Sequence, residues 1–192
     1  PEVGLYLHRF LRAGVVLLQG LRVQHHAKSD RRTKQSIYLT EEIMSSFRHF
    51  FQELPRLRVA VLGDLMLDTY FFGQVDRVSP EAPVPVVAHQ RQEERIGGAG
   101  NVALNFKSLG ADVQLISIVG SDAPGQILRD LLTEQAVGTD LLFADPNRPT
   151  TRKTRVLDRN KQLLRLDHES VAELSPEMET QILAQLTKYL IF

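Results

Sequence analysis

Gly97, Gly98 and Gly100, with Asn101 directly after them, set the tightest limit on what this chain folds into. A glycine pair lets backbone approach a ligand where any Cβ would stand in the way. Asn101 opens an amphipathic stretch, and its amide can hydrogen-bond a polyhydroxy ligand. Gly110 falls where the helix predicted over 101–109 should stop, and Gly120 closes a predicted buried strand. The pattern reads as loop, helix, turn and strand, with the loop facing a ligand.

From Arg58 onward the same alternation continues. Val59-Ala60-Val61-Leu62, ending in Gly63-Asp64, has the form of a short buried parallel strand. Short strands are predicted over 70–74 and 84–89. Pro80-Glu81-Ala82-Pro83-Val84-Pro85 introduces the second, and its prolines confine that strand to an edge or a lid. Residues 113–119 read as a strand alternating towards a core, and 125–135 as a helix with Ile127, Leu128, Leu131 and Leu132 on one face. A strand follows over 139–143. Segments 154–157 and 162–167 form a hairpin around Asp158-Arg159-Asn160-Lys161, with Asn160 expected at φ > 0. Ser175-Pro176 marks a helix start, and Met178, Ile182, Leu186 and Leu190 continue it at four-residue spacing. Strands alternating with helices predict an α/β fold with a parallel sheet.

The 192 residues, 43% of them hydrophobic, suffice for one domain plus an extension. No cysteine is present, so disulfides and thiolate metal sites are excluded, and a reducing cytoplasm is the expected setting. Residues 1–56 hold nine Lys/Arg against five Asp/Glu, a net of +4, and residues 57–192 hold fourteen against eighteen, a net of −4. Without a dense basic run the first part reads as a solvated segment, not a nucleic-acid binder. His8, Arg9, Arg12, Gln19 and Arg22 interrupt the apolar stretch 5–23, which is therefore neither a membrane span nor a signal peptide. Residues 1–56 are expected to be an extension and linker partly outside the fold. Of these, 1–43 are expected outside it and foreign to the native coding sequence, with a natural start near Met44.

The glycine signature, with Gly110 and Gly120 in step, resembles the ribokinase-like (PfkB) carbohydrate kinases. Val61-Leu62-Gly63-Asp64-Leu65-Met66-Leu67-Asp68, the block Arg77 to Val86, and Thr154-Arg155-Val156-Leu157 with Gln162 to Asp167 are similar to one branch. That branch phosphorylates D-glycero-β-D-manno-heptose 7-phosphate at C1, for ADP-heptose and lipopolysaccharide core, and often carries a fused adenylyltransferase. The resemblance covers about residues 57–192 and implies the N-terminal half of a doubly wound ribokinase-like sheet with a small β lid. It implies ATP and Mg²⁺ as cofactors of the complete enzyme, held partly by a downstream Gly-x-Gly-Asp motif whose Asp is the catalytic base. The last glycine here is Gly138. The expectation is therefore a truncated chain, inactive alone, with no catalytic residue and no bound cofactor of its own.

Carried over by position, the resemblance assigns sugar hydroxyls to Asp68 and the substrate loop to Gly97, Gly98 and Asn101. Lys153 and Arg155 become a cationic clamp for the sugar phosphate, with Arg152 competing for that role. The plainer readings are a turn cap for Asp68, a tight turn with a helix cap for the glycine loop, and solvated strand charges for the three cations. His25, His26, His89 and His168 lack metal-ligand spacing and read as surface residues. The implied partners are a sugar phosphate and a second copy, joined through lid strands 84–89 and 154–167, with no nucleic acid or membrane. Gly98-Ala99-Gly100-Asn101-Val102-Ala103 also fits a dinucleotide fingerprint. That motif needs a strand leading directly into its first glycine, and the charged stretch 91–95 argues against one. A non-catalytic sugar-phosphate-binding or partner-complementing module, or a different ribokinase-like sugar kinase, are the other functions the residues allow.

Overall fold

Val59 and Val61 project to one side of a short strand and Ala60 and Leu62 to the other, and all four are buried. A strand apolar on both sides needs cover on both faces, and that requirement sets the architecture. The computed structural model describes residues 15–19, 48–49 and 51–191. Its strands are β1 (Val15–Gln19), β2 (Arg58–Leu62), β3 (Leu65–Val78), β4 (Pro85–Gly98), β5 (Asp112–Gly120), β6 (Leu142–Asp145), β7 (Arg152–Asp158) and β8 (Lys161–His168). Its helices are α1 (Ala99–Ser108), α2 (Ala123–Glu134) and α3 (Pro176–Ile191).

The strands form two sheets, ordered β1-β2-β5-β6 and β4-β3-β7-β8. In the first, β2, β5 and β6 run parallel and β1 pairs antiparallel at the edge. Val59, Val61, Val113, Leu115 and Val119 meet α1 and α2 through Ala99, Ala103, Leu128 and Leu132. Ala60, Leu62 and Ile116 meet α3 through Ile182, with Met178, Leu183 and Leu186 alongside. The result is helix, sheet, helix. Each buried Leu, Ile or Val contributes about 1.5–3 kcal/mol, so these two apolar layers hold the sheet. Strand β5 is thus covered on both faces, not on the one its alternation suggests.

The second sheet is the lid, and it grows from the first through the turn Gly63-Asp64. Buried Ser117 on β5 secures that turn. Its hydroxyl donates to the Gly63 carbonyl at 2.6 Å and accepts the Leu65 amide at 3.0 Å. The Asp64 carbonyl accepts the Ala99 amide at 2.8 Å, tying the start of α1 to the same turn. Lid strand β7 is rooted separately. Asp122 caps α2 through the Gly125 amide at 3.0 Å and accepts the Thr150 amide at 2.9 Å and its hydroxyl at 2.5 Å. The Thr150 oxygen in turn accepts the Gly120 amide at 2.8 Å.

Several expectations shift. Val15–Gln19, inside the segment expected outside the fold, pairs with β2; the remainder of 1–47 and the Met44 start lie outside the described residues. The two lid strands expected as 70–74 and 84–89 are 14 residues each. Leu65-Met66-Leu67 hid β3 because it has no polar alternation, and the density of charge at 91–95 hid the second half of β4. Strand β4 is an edge of the lid sheet, where its one proline, Pro85 at the first position, is tolerated. Positive φ in the β7–β8 turn falls on Arg159 (53°), not Asn160, because the Arg159 amide donates to the Gly73 carbonyl of β3 at 2.8 Å. The strand expected over 139–143 begins at Leu142.

Burial works to raise the Asp122 carboxyl, but the Thr150 hydroxyl, then the Thr150 and Gly125 amides, outweigh it and hold it below the ordinary aspartate range. A carboxyl depressed on folding adds stability above its unfolded range and loses it as pH falls through the depressed value. Asp122→Ala is expected to cost about 2 kcal/mol near neutral pH. In urea unfolding, the gap between variant and parent should narrow as pH drops below the ordinary aspartate range; a constant gap would refute the network.

Candidate functional site

The pleat of β3 sorts its side chains. Leu65, Leu67 and Thr69 are buried towards the core, so Met66, Asp68 and Tyr70 face the other way. Asp68 stands opposite Arg95 on β4 and Lys153 on β7, and Tyr70 opposite Glu93 and Arg155. The Arg155 guanidinium donates to Asp68 Oδ1 at 2.6 Å, with the two side chains only 19% and 18% exposed. Burial works against the Arg155 charge, but the Asp68 hydrogen bond and charge outweigh it and raise Arg155 above its ordinary range.

The other Asp68 oxygen points at Gly97, where a Cβ would lie 2.5 Å from Oδ2 and 2.8 Å from Met66 Cγ. A glycine is therefore required for this carboxylate to lie against the backbone of β4. Gly98 has φ +59° and caps α1, and a Cβ on it would run into the Asp64 carbonyl. Asn101 sits in the first turn of α1 and is exposed. Asp68, Gly97 and Arg155 thus touch, with Gly98 and Asn101 following where the chain turns from lid into helix.

Lys153 shares the Asp68 face, but its ammonium goes to Asp167 at 3.2 Å and Glu169 at 3.5 Å. Arg165 grips the same Asp167 with two bonds of 2.8 and 2.9 Å. Chiefly Arg165, and then Lys153, hold the Asp167 carboxyl below its ordinary range. Arg152, one residue out of step, points to the opposite face and donates to buried Thr69 at 3.1 Å. It is apart from the other two cations. His89 and His168 are exposed, and His89 meets the Phe71 ring edge-on.

Sequence reasoning missed Arg91, Glu93 and Arg95, which line the same face of β4. Glu93 pairs with both arginines, while Arg91 lies 3.6 Å over the Phe72 ring and Arg95 4.6 Å over Tyr70. Their period-two spacing was the available signal. Also missed was a cavity of about 400 Å³ between the lid and the end of β5, lined by Asp64, Ser117, Arg148, Lys153, Glu169 and Ser170 among others. Met66 lines it and also packs against Gly97, so cavity and Asp68 are neighbours. Of the residues anticipated, only Lys153 lines the cavity itself.

The dinucleotide alternative fails on topology and not for want of a strand. A strand, β4, does lead directly into Gly97-Gly98 and α1. It is antiparallel to β3 in the lid and not part of a parallel β-α-β unit, so it lacks the geometry that motif requires.

Residues 56–191 match the pfkB family carbohydrate kinases. The chain is 53% identical over 122 residues to a D-beta-D-heptose 7-phosphate kinase of Bordetella bronchiseptica, covering 64% of this chain and 39% of that protein. It is 45% identical over 139 residues to the bifunctional protein HldE of Geobacter sulfurreducens, covering 72% of this chain and 28% of the other. A solved Clostridium perfringens structure assigned as a sugar kinase superposes with a TM-score of 0.50 at 17% identity, over 62% of this chain and 37% of that one. The chain belongs to the pfkB family of carbohydrate kinases, and its fold is ribokinase-like. It spans well under half the length of the relatives it matches.

Gly97→Ala is expected to destabilise the chain by about 1–3 kcal/mol through overpacking against Asp68 and Met66. The same exchange in an Asp68→Ala background should cost less, because part of the clash is gone. Equal costs in the two backgrounds, measured by denaturant unfolding, would refute the contact.

Proposed function

We propose that this chain is the sugar-binding part of an ATP-dependent kinase that phosphorylates D-glycero-β-D-manno-heptose 7-phosphate at C1 in the cytoplasm, for ADP-heptose and lipopolysaccharide core. The observation that carries the reading is a half-buried carboxylate, Asp68, held against a glycine backbone with cations around it on one lid face. An ionised carboxylate accepts several hydroxyl donors at once, which suits a polyol. Gly97 leaves room beside it, Gly98 and Asn101 present the start of α1 to the same ligand, and Lys153 and Arg155 supply positive charge for its phosphate. The lid sheet shields the bound sugar from water.

ATP and Mg²⁺ supply the phosphoryl group and its charge compensation in the complete enzyme. Among the described residues, no group of three or more His, Cys, Asp or Glu is arranged to hold a metal ion, and no glycine follows Gly138 to form an anion-holding loop. No step is assigned to ATP or Mg²⁺ within this chain, which on this reading transfers no phosphate alone.

In the reconstituted kinase, Asp68→Asn is expected to weaken heptose 7-phosphate binding about ten-fold or more, since a charged hydrogen bond contributes about 1.5–3 kcal/mol. ATP affinity should stay nearly unchanged. Calorimetry showing intact sugar affinity would remove Asp68 from the site.

The lid also supports self-association. Phe71, Val156, Leu164 and Leu166 share its other face by register, and both leucines are exposed. On this reading a second copy covers that strip and protects the β8 edge. Charged substitutions at Val156 and Leu164 are expected to turn a dimeric full-length enzyme monomeric. Sedimentation showing a monomer before any substitution would rule the dimer out.

A further inference from the structure

Two cations line the cavity beneath the lid, and they reach it from different places. Lys153 projects from β7, and Arg148 from the loop between β6 and β7. Each side chain is 18% exposed. Both hold the same stretch of chain after β8: Lys153 contacts Glu169 at 3.5 Å, and Arg148 donates to the Ala172 carbonyl at 2.7 Å. Ser170 and Val171, between those two attachments, line the cavity as well. Residues 169–172 therefore form a strap across the cavity, tied at each end by a cation.

The ties are unequal. Lys153 keeps a closer carboxylate in Asp167 at 3.2 Å, while Glu169 is farther away and its side chain is 41% exposed. Arg148 faces Asp145 at 3.7 Å, beyond hydrogen-bond reach. A guanidinium has five N–H donors and an ammonium three, so both cations can serve an additional acceptor. A phosphate monoester presents three strong acceptor oxygens and nearly two negative charges. Glu169, the farther of the two carboxylates at Lys153, is the one a phosphate displaces more readily.

We infer that the phosphate of the sugar phosphate binds between Arg148 and Lys153, and that Glu169 occupies the Lys153 end of that site until the phosphate displaces it. The inference rests on the sugar-phosphate reading above and adds two residues to it. Glu169 then guards Lys153. A phosphorylated sugar can replace its carboxylate and a neutral one cannot, so Glu169 lowers affinity for the charged ligand and leaves that for the neutral one untouched.

The test is calorimetric titration of the 192-residue chain with heptose 7-phosphate, unphosphorylated heptose and inorganic phosphate. Glu169→Gln removes the competing charge at a solvated position and is expected to tighten both phosphate-bearing ligands by on the order of ten-fold, leaving neutral heptose unchanged. Arg148→Gln is expected to weaken the same two ligands by a similar factor. Unchanged or weaker phosphate binding in Glu169→Gln, with the parent chain binding heptose 7-phosphate normally, overturns this inference alone. A parent chain that binds neither heptose nor its phosphate overturns the sugar-phosphate reading with it.

Discussion

The hydroxyl of Ser117 is the point on which the two sheets depend. Parallel strands β2 and β5 would form a layered core without it, but the chain leaves β2 through Gly63-Asp64 and must at once begin a strand in another sheet. That change of direction strands a buried carbonyl and a buried amide. Ser117 satisfies both with one oxygen, as acceptor for Leu65 and donor to Gly63. An unsatisfied buried polar group costs about 1–3 kcal/mol, so a small apolar residue there would leave the turn without its reason to form. The turn carries the Asp64 carbonyl that receives α1, so the placement of the glycine loop follows from the same contact.

The lid face around Asp68 is an electrostatic network in which carboxylates are shared. Asp167 serves Lys153 and Arg165, and Glu93 serves Arg91 and Arg95. Shared acids leave cations incompletely neutralised, and the aromatic rings of Tyr70 and Phe72 carry part of the remaining charge. Exposed pairs of this kind add little to stability. Their effect is to keep positive charge ordered on one face, and the Asp68–Arg155 pair, largely withdrawn from water, is the ordered centre of it.

Much of this was legible in the residue pattern, and the failures are instructive. The apolar run of β2 revealed a parallel core because both faces of that strand are covered, and Gly110 marked the end of α1, where its φ is +90°. The placing of Asp68 and Gly97 in one site came from the family resemblance, and the contact between them emerged only in the folded chain. What stayed hidden depends on three-dimensional neighbours. Nothing local announces that Arg159 will take positive φ, because the cause is a carbonyl on another strand. The separation of Arg152 from Lys153 and Arg155 needed only the strand period, but the start of β7 fixes its phase. Arg148 and Glu169 belong to loops with no periodicity at all, and only the folded chain brings them to one cavity.

The length of β3 has a mechanical consequence. Its buried side chains, Leu65, Leu67 and Thr69, all lie at one end, and beyond them only Gly73 is buried before the strand ends at Val78. Nine residues beyond Thr69 make an arm of about 30 Å at roughly 3.3 Å per residue. A rotation of about 5° at the root swings the far end by about 2.5 Å, close to a hydrogen-bond length, over that span. Strands β3 and β7 are braced at separate points, one at Ser117 and one at Thr150, which converts a single pivot into a two-point mounting. The sheet behaves as a cantilever, and the angular stiffness of its mounting decides how accurately its outer charges are aimed.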